Sequence, residues 1–275
     1  MQKSAKKYLQ SFLAEDIGSG DITSKLLPKK KIVARIISRQ NGIVAGVQYA
    51  KEIFQSRNCK VTIHRRDGQA VSPNQNILTI SGDIYPVLSC ERTALNLMSR
   101  MSGIATKSNM YAKKIHAANP KVGLYSTRKT APGLRIFDKD AVAIGGGHRH
   151  RMSLDQMVMI KDNHIAASDS LLDLIRLAKQ RHKKIEVEVE SLHHAVMAAR
   201  EGADIIMLDN MSPAQIKNII KKLKQLKLRN KIKIEASGGI NISNVSQYAR
   251  SGVDMISIGR LTSSVDGLDL SLEVN

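Results

Sequence analysis

Six strand-like segments of this chain end on, or run directly into, residues that bind or transfer charged groups. In a parallel (β/α) fold the carboxyl ends of the strands lie at one edge, where active sites are built. The sequence therefore predicts one site that collects these strand ends. The segments and their end residues are 121–126 with Arg128 and Lys129, 157–161 with Lys161, 185–190 with three glutamates, 204–209 with Asp209, 232–236 with Ser237, Gly238 and Gly239, and 253–258 with Gly259 and Arg260.

Segment 185–190 reads Ile-Glu-Val-Glu-Val-Glu. Successive strand residues point to opposite faces, so valines that face outer helices would put all three glutamates on the interior side. Carboxylates inside a protein need an opposite charge or a metal ion. Lys161 on the preceding segment and Asp209 on the following one would complete a ring of mixed charge. The alternative is a solvated edge strand with a charged outer face.

Residues 237–241, Ser-Gly-Gly-Ile-Asn, follow an apolar strand and precede a helical segment. Glycines allow backbone N–H groups to approach an oxyanion, and a helix N-terminus adds favourable potential. Gly259, after the next strand, would complete a pair of phosphate-binding loops of the kind common in (β/α) barrels. A tight strand-to-helix turn without a ligand is the alternative for Ser-Gly-Gly alone.

Residues 145–151 read Gly-Gly-Gly-His-Arg-His-Arg. His148 and His150 could ligate a metal ion, but the interleaved arginines would repel a cation and instead suit carboxylate or phosphate. An anion-binding loop is therefore the favoured interpretation. With Arg128 and Lys129 it predicts a positive pocket beside the acidic ring, which is what group transfer from a diphosphate with a divalent cation needs.

The surrounding pattern predicts an α/β protein. The first third is β-rich, and the rest alternates strands and helices, which indicates parallel strands in a barrel or a doubly wound sheet. Predicted strands outside the six segments are 31–39, 42–47, 59–64, 76–80 and 141–144. Predicted helices are one within 1–27, one at 47–57, two within 88–118 broken near Ser102-Gly103, and 168–181, 192–201, 213–226 and 243–251.

Composition limits the function classes. The 275 residues carry a net charge of +19, which favours anionic partners. Two cysteines cannot form a disulfide framework and indicate a reducing compartment, while no secretory signal or apolar run of about 18 residues is evident. Nucleic acid binding through the basic run 217–233 is an alternative, but isoleucines and a leucine recur there at helical spacing, which favours an outer helix with a solvated basic face. Membrane-surface binding by this helix lacks a Trp or Phe anchor.

Taken in order, several motifs resemble quinolinate phosphoribosyltransferase, also called nicotinate-nucleotide pyrophosphorylase (carboxylating). The resemblance covers nearly the whole chain. The motifs are residues 15–23, Glu91–Asn96, Thr127–Arg135, Gly145–Arg151, Ile160–His164, Leu208–Asn210 and Glu235–Gly239.

The resemblance implies an N-terminal α/β sandwich domain, 1–104, followed by an incomplete (β/α) TIM-like barrel, 105–264, with the tail 265–275 packed back on the first domain. It implies that quinolinate and phosphoribosyl diphosphate are converted to nicotinate mononucleotide, diphosphate and CO2 with Mg2+, in de novo NAD synthesis in the cytoplasm. It also implies a homodimer, open to higher assembly, in which Arg92 reaches the neighbouring subunit's site. No nucleic acid or membrane partner is expected.

Two residues depart from the family pattern, and two other families share the fold. Arg260 and Ser263 depart from the family, whose members more often have a small or apolar residue and a histidine there, so the 5′-phosphate contacts are the least defined. A molybdenum-transport paralogue and a nicotinate phosphoribosyltransferase are the alternative assignments with the same fold.

The resemblance also implies residue roles. Quinolinate would contact Arg92, Arg128, Lys129, His150, Arg151 and Lys161. Phosphoribosyl diphosphate would contact Lys129, Lys161, Glu188, Asp209, Ser237, Gly238, Gly239 and Gly259. Catalysis falls to Lys129, Lys161, Glu188 and Asp209, and the metal to Glu188 and Asp209.

Overall fold

The computed structural model describes residues 3–168, 170–181 and 184–274. Its helices are α1 Lys3–Ile17, α2 Val47–Gln55, α3 Ile84–Ser89, α4 Glu91–Ala118, α5 Arg135–Ile144, α6 Asp162–Ser168, α7 Leu171–Arg181, α8 Leu192–Arg200, α9 Pro213–Gln225, α10 Val245–Ala249 and α11 Arg260–Ser263. Its strands are β1 Lys31–Ser38, β2 Gly42–Ile43, β3 Lys60–Ile63, β4 Ala70–Val71, β5 Asn76–Asp83, β6 Gly123–Tyr125, β7 Val158–Ile160, β8 Ile185–Val189, β9 Ile205–Asp209, β10 Lys233–Ser237, β11 Met255–Ser257 and β12 Leu270–Val274.

The chain divides into two compact units. The first contains the described residues up to Asn109, Thr130–Gly146, and the described residues from Leu261 onward. The second contains Met110–Lys129 and Gly147–Arg260.

The first unit is built on a four-stranded sheet in the order β12-β1-β5-β3. All three pairings are antiparallel, and β12 at the end of the chain lies beside β1. Strand β1 begins with strict alternation of exposed and buried residues, in which Ile32, Ala34 and Ile36 are buried. This period of two gives the sheet one apolar face, as expected for a half-buried strand.

Helix α4 is continuous, so the predicted break near Ser102-Gly103 is wrong. The Ser102 side chain exchanges hydrogen bonds with the backbone of Ala45. A Cβ atom at residue 103 would lie 2.0 Å from the carbonyl oxygen of Asp266. Both small residues are therefore needed for close packing against other backbone segments of the first unit, rather than for ending a helix.

The second unit contains a six-stranded sheet in the order β6-β11-β10-β9-β8-β7. Every pairing is parallel, and helices α6 to α10 connect the successive strands β7 to β11 of an incomplete (β/α) barrel. Residues 147–150 run along the outer edge of β6, where Tyr125 and His148 form a parallel bridge. The Ser126 hydroxyl donates to the carbonyl oxygen of Arg149 at 2.6 Å, which holds this segment in place.

Helix α9 confirms the prediction of an amphipathic helix over 213–226. The helix begins with a capping box between Ser212 and Gln215, which satisfies N–H groups that lack partners inside the helix. Its buried residues are Ile216, Ile219, Ile220 and Leu223. Among the described helices, none is both long enough and apolar enough to cross a membrane.

Three other predictions are corrected. Residues 141–144, predicted as a strand, are the last turn of α5, because a short apolar run fits a buried helix as well as a strand. The predicted strand 42–47 stops at Ile43, and Val47 begins α2 after Gly46 adopts a φ of 89°. The predicted helix 168–181 appears as the end of α6 and all of α7, with Asp169 outside the described residues.

Candidate active site

Part of the barrel interior is filled by a cluster of apolar side chains. Met157, Ile205 and Met255 form a buried cluster with Tyr125 and Met159 packed against it. These residues come from strands that are not all neighbours, so they meet across the interior. In the strand register Glu186 is level with Ile205 and Glu235 with Met255, whereas Asp209 and Ser237 lie at the carboxyl ends of their strands.

Glu188 and Asp209 lie near the carboxyl ends of the adjacent strands β8 and β9. The Lys161 ammonium group forms a hydrogen-bonded ion pair with the Glu188 carboxylate, whose side chain is 13% exposed. Asp209 is half-buried, and its carboxylate accepts a hydrogen bond of 2.6 Å from the Asn210 amide. Lysine and carboxylates thus meet at one edge of the sheet.

Glu186 lies two residues before Glu188 on β8, Glu235 lies two residues before Ser237 on β10, and both are fully buried. His150 reaches them: its Nε2 is 3.2 Å from Glu235 Oε2 and 3.4 Å from Glu186 Oε2. Within the described residues, these three form the one group of His, Cys, Asp or Glu close enough to hold a metal ion. Burial first, and then the Glu235 carboxylate, raise the pKa of Glu186 well above its ordinary value.

The outcome for the three glutamates of 185–190 is mixed. Val187 and Val189 are buried, Glu186 is fully buried and Glu188 is half-buried. Glu190 is exposed, so its predicted interior position is wrong. The strand ends at Val189, and the alternation of faces does not continue past the strand end.

The charges of two guanidinium groups in the second unit act on each other. Arg128 and Arg151 are both half-buried, and the Arg128 Nε atom is buried without a hydrogen-bond partner. Burial first, and then the Arg128 charge, lower the pKa of Arg151, which the Glu186 carboxylate partly opposes. Like charges that repel each other in a partly desolvated place favour binding of an anion.

Residues 237–241 form a tight turn after β10. Gly238 and Gly239 have φ values of 81° and 62°, in the left-handed region that favours glycine. A Cβ atom at residue 238 would lie 2.2 Å from Asn210 Oδ1, whereas one at residue 239 would meet open space. The following helix α10 has only five residues.

Lys129 is brought to the second glycine-bearing strand end. A Cβ atom at Gly259 would lie 2.8 Å from the Lys129 side chain, so the absence of a side chain makes room for the lysine. Burial raises the pKa of Tyr111, and the charge of the exposed Arg260 partly opposes that rise.

Comparisons with known proteins decide the family. The family model described as Quinolinate phosphoribosyl transferase, N-terminal domain, matches residues 21–102, and the model of the C-terminal domain matches residues 104–273. The chain belongs to the quinolinate phosphoribosyltransferase family. The two matched domains together span most of the chain.

Relatives of the family agree along the full length. The chain is 43% identical over 271 residues to a probable nicotinate-nucleotide pyrophosphorylase [carboxylating] of Methanothermobacter thermautotrophicus, covering 97% of each chain. It is 33% identical to the enzyme of that name from Rattus norvegicus, covering 96% of this chain and 89% of the relative. The solved nicotinate-nucleotide pyrophosphorylase of Francisella tularensis superposes with a TM-score of 0.91 at 36% identity, covering 99% of this chain and 96% of that one.

Most of the residues that the family resemblance selected lie in the barrel unit. These are Arg128, Lys129, His150, Arg151, Lys161, Glu188, Asp209, Ser237, Gly238, Gly239 and Gly259. Arg92 and Ser263 belong to the first unit, where Arg92 is exposed in the first turn of α4.

His148 and His150 do not form the metal-binding pair that was considered from the sequence. The His148 ring is exposed and stacks on Tyr125 with a centroid separation of 4.7 Å, whereas the His150 ring turns to the buried glutamates. Sequence reasoning missed Glu235. The available signal was an acid between the apolar residues Ile234 and Ala236. It lies two positions before Ser237 and so shares its strand face.

Proposed function

We propose that the pocket around Arg128 and Arg151 holds the two carboxylates of quinolinate, with Lys129, Lys161 and His150 close by. The chain is a quinolinate phosphoribosyltransferase of NAD biosynthesis, so its substrates are quinolinate and phosphoribosyl diphosphate. The observation that carries the proposal is the pair of half-buried guanidinium groups, one with a buried Nε that has no hydrogen-bond partner. Planar guanidinium groups suit a dicarboxylate because each can bind a carboxylate in a two-point fork.

The phosphoribosyl diphosphate belongs at the neighbouring strand ends. Its phosphate oxygens would meet the turn at Ser237, Gly238 and Gly239, where the two glycines have no side chain to shield their backbone N–H groups from an anion. Lys129 lies against Gly259 and can serve the same anion. Nicotinate mononucleotide, diphosphate and CO2 are the products.

Glu188 and Asp209 fit the needs of Mg2+. Both offer carboxylate oxygens at the ends of adjacent strands, and neither is fully buried. Mg2+ in phosphate-transferring sites is commonly held by one or two carboxylates together with substrate phosphates. When bound there, the ion would neutralise the charge that develops on the departing diphosphate.

The protein residues contribute orientation and charge. Arg128 and Arg151 would fix the pyridine ring so that its nitrogen faces the anomeric carbon of the ribose, which makes bond formation effectively unimolecular. As the bond from that carbon to the diphosphate breaks, Glu188 and Asp209 stabilise the positive charge on the ribose. The ring nitrogen becomes cationic, and the adjacent carboxylate leaves as CO2. Its electron pair remains on the ring carbon, which takes up a proton beside the cationic Lys129 and Lys161.

The test is steady-state turnover of quinolinate by Arg128→Ala and Lys161→Ala, with CO2 release as the readout. We expect kcat/KM to fall by at least about a hundredfold in both, because each variant removes a charge from the reacting centre. Arg250→Ala, which removes an exposed arginine of the outer surface, is the matched control. Near-parental kcat/KM in both site variants, or equal turnover of nicotinate, would contradict the assignment.

The homodimer is a second part of the proposal. Ile22 and Leu26 in the first unit expose large apolar side chains, 77% and 84% exposed, which supports a partner surface there. Arg92, exposed at the start of α4, would reach the partner's site.

The two buried cysteines, Cys59 and Cys90, are free, which supports a reducing compartment and hence the cytoplasm.

Subunit complementation tests the role of Arg92. Inactive Arg92→Ala and Lys161→Ala chains, unfolded and refolded together, would form mixed dimers with one intact site, so about a quarter of parental activity should return. No recovery, despite dimers in light scattering, would exclude a site shared in this way.

A further inference from the structure

The buried pair Glu186 and Glu235 is not used by the mechanism. Both side chains are fully buried in the barrel interior, and both carboxylate oxygens of Glu186 lack a hydrogen-bond donor, as does Oε1 of Glu235. Two carboxylates in such a place are costly to maintain. The His150 ring lies 3.2 Å from Glu235 and 3.4 Å from Glu186. The charges of Arg151 and Lys161 also act on Glu186.

The hydrogen bonds of His150 define its tautomer. Its Nδ1 accepts the backbone N–H of Arg151 at 2.9 Å, so Nδ1 carries no proton. The ring proton is therefore on Nε2, which donates toward Glu235 Oε2. Both ring nitrogens are committed to the protein, and Nε2 offers no lone pair to a metal ion.

The backbone at His150 is also constrained. Its φ of 54° lies in the left-handed region, which is unfavourable for a residue with a side chain and persists where surrounding contacts impose it. Two hydrogen bonds of the ring anchor this residue, and one of them comes from the backbone N–H of the next residue, Arg151. The Arg151 guanidinium in turn donates to the carbonyl oxygen of Met157 at 3.2 Å.

We propose that Glu186 and Glu235 are positioning residues that hold His150, and through it Arg151, in the orientation that binds quinolinate. His150 then acts as a link between the buried carboxylates and the guanidinium and uses neither ring nitrogen on a substrate. The inference rests on the proposed role of Arg151 as a quinolinate ligand. It replaces the predicted role of His150 as a direct ligand.

The experiment compares two double variants. Glu186→Gln/Glu235→Gln keeps oxygen acceptors for the Nε2 proton, whereas Glu186→Met/Glu235→Met keeps similar size without acceptors. Binding of radiolabelled quinolinate and of phosphoribosyl diphosphate with Mg2+ is measured by equilibrium dialysis. Glu201→Met, at an exposed ion pair with Arg176, is the control for a glutamate-to-methionine change.

We expect the methionine pair to weaken quinolinate binding by at least about tenfold, the usual scale for losing an orienting partner. Phosphoribosyl diphosphate binding should stay within about threefold, and the glutamine pair should recover most of the quinolinate affinity. Parallel loss of both substrates would show a merely structural role and overturn the proposal. If the methionine pair does not fold, Glu235→Met alone, which removes the 3.2 Å partner, carries the same expectation.

Arg151→Lys separates this proposal from the site assignment. Unchanged quinolinate affinity in Arg151→Lys would refute the proposed quinolinate site itself. Weaker binding in Arg151→Lys but not in the methionine pair would refute only the positioning role. A stoichiometric metal ion in the purified parent that is lost in the methionine pair would also overturn it, because His150 Nε2 would then be a ligand.

Discussion

At the scale of single residues, the site depends on where side chains are missing as much as on where they are present. Gly238 and Gly259 leave space that Asn210 and Lys129 occupy. The sequence alone shows that glycine occupies these positions. The neighbours that need the space come from other strands, so only the folded chain reveals them.

Gly238→Ala and Gly239→Ala make a matched pair. Both residues have positive φ, which costs alanine about 1–3 kcal/mol, but only residue 238 also meets Asn210 at 2.2 Å. We therefore expect Gly238→Ala to raise the KM for phosphoribosyl diphosphate by about tenfold or more, and Gly239→Ala by clearly less. Steady-state kinetics and unfolding midpoints measure both. Equal effects of the two variants would contradict the role of the Asn210 contact.

Cys90 gives a second prediction at this scale. Burial raises the pKa of its thiol to about 12, and burial also raises the pKa of Cys59. Because the thiolate is the reactive form, neither residue should react with iodoacetamide in the native protein at about pH 8. Mass spectrometry should detect two labels only after addition of denaturant. Rapid labelling of the native protein would contradict the burial.

At the scale of elements, α4 explains why a helix prediction broke where the helix does not. Ser and Gly together lower helix propensity, so a local rule ends the helix at Ser102-Gly103. The two residues instead pack against Ala45 and Asp266, which are distant in sequence. The gain from close packing outweighs a local cost of about 1 kcal/mol.

Gly103→Ala should therefore destabilise the protein, although the same change inside an exposed helix usually stabilises it. The new Cβ atom would lie 2.0 Å from the Asp266 carbonyl oxygen and would force the backbone apart, at a cost of about 1–3 kcal/mol. Asn96→Ala, at an exposed position of the same helix, is the control and should be neutral or slightly stabilising. Denaturant unfolding measures both. Higher stability of Gly103→Ala would contradict the packing account.

At the scale of the whole molecule, the net charge of +19 divides into two parts. A small part belongs to the proposed quinolinate pocket, through residues such as Arg128 and Arg151. Much of the rest lies on outer faces, of which α9 is the clearest case, because its apolar residues are buried and its lysines are exposed. A large excess of one charge destabilises the compact state through self-repulsion.

Moderate salt should therefore stabilise this protein. Raising NaCl from about 0.02 M to about 0.3 M shortens the screening length and should raise the unfolding midpoint by roughly 2–4 °C. The triple variant Lys217→Gln, Lys221→Gln, Lys224→Gln on α9 should have a higher midpoint at low salt and a smaller salt response. A salt response equal to that of the parent would exclude these lysines as a source of repulsion.

The sequence by itself determined the family, the strand–helix alternation and most residues expected at the site. These features are local: a period of two or of 3.6 residues and a motif of consecutive residues are complete within one segment. The six segments that end in polar residues correspond to the six parallel strands of the barrel. The residue roles inferred from the resemblance remain predictions.

Only the tertiary structure decided which polar residues meet. The sequence treated the three glutamates of 185–190 alike, but one is buried beside His150, one pairs with Lys161 and one is exposed. Glu235 was not singled out, because its partner His150 lies 85 positions away in the chain. Burial and pairing depend on contacts between distant segments, and no local pattern encodes the distance at which those segments come together.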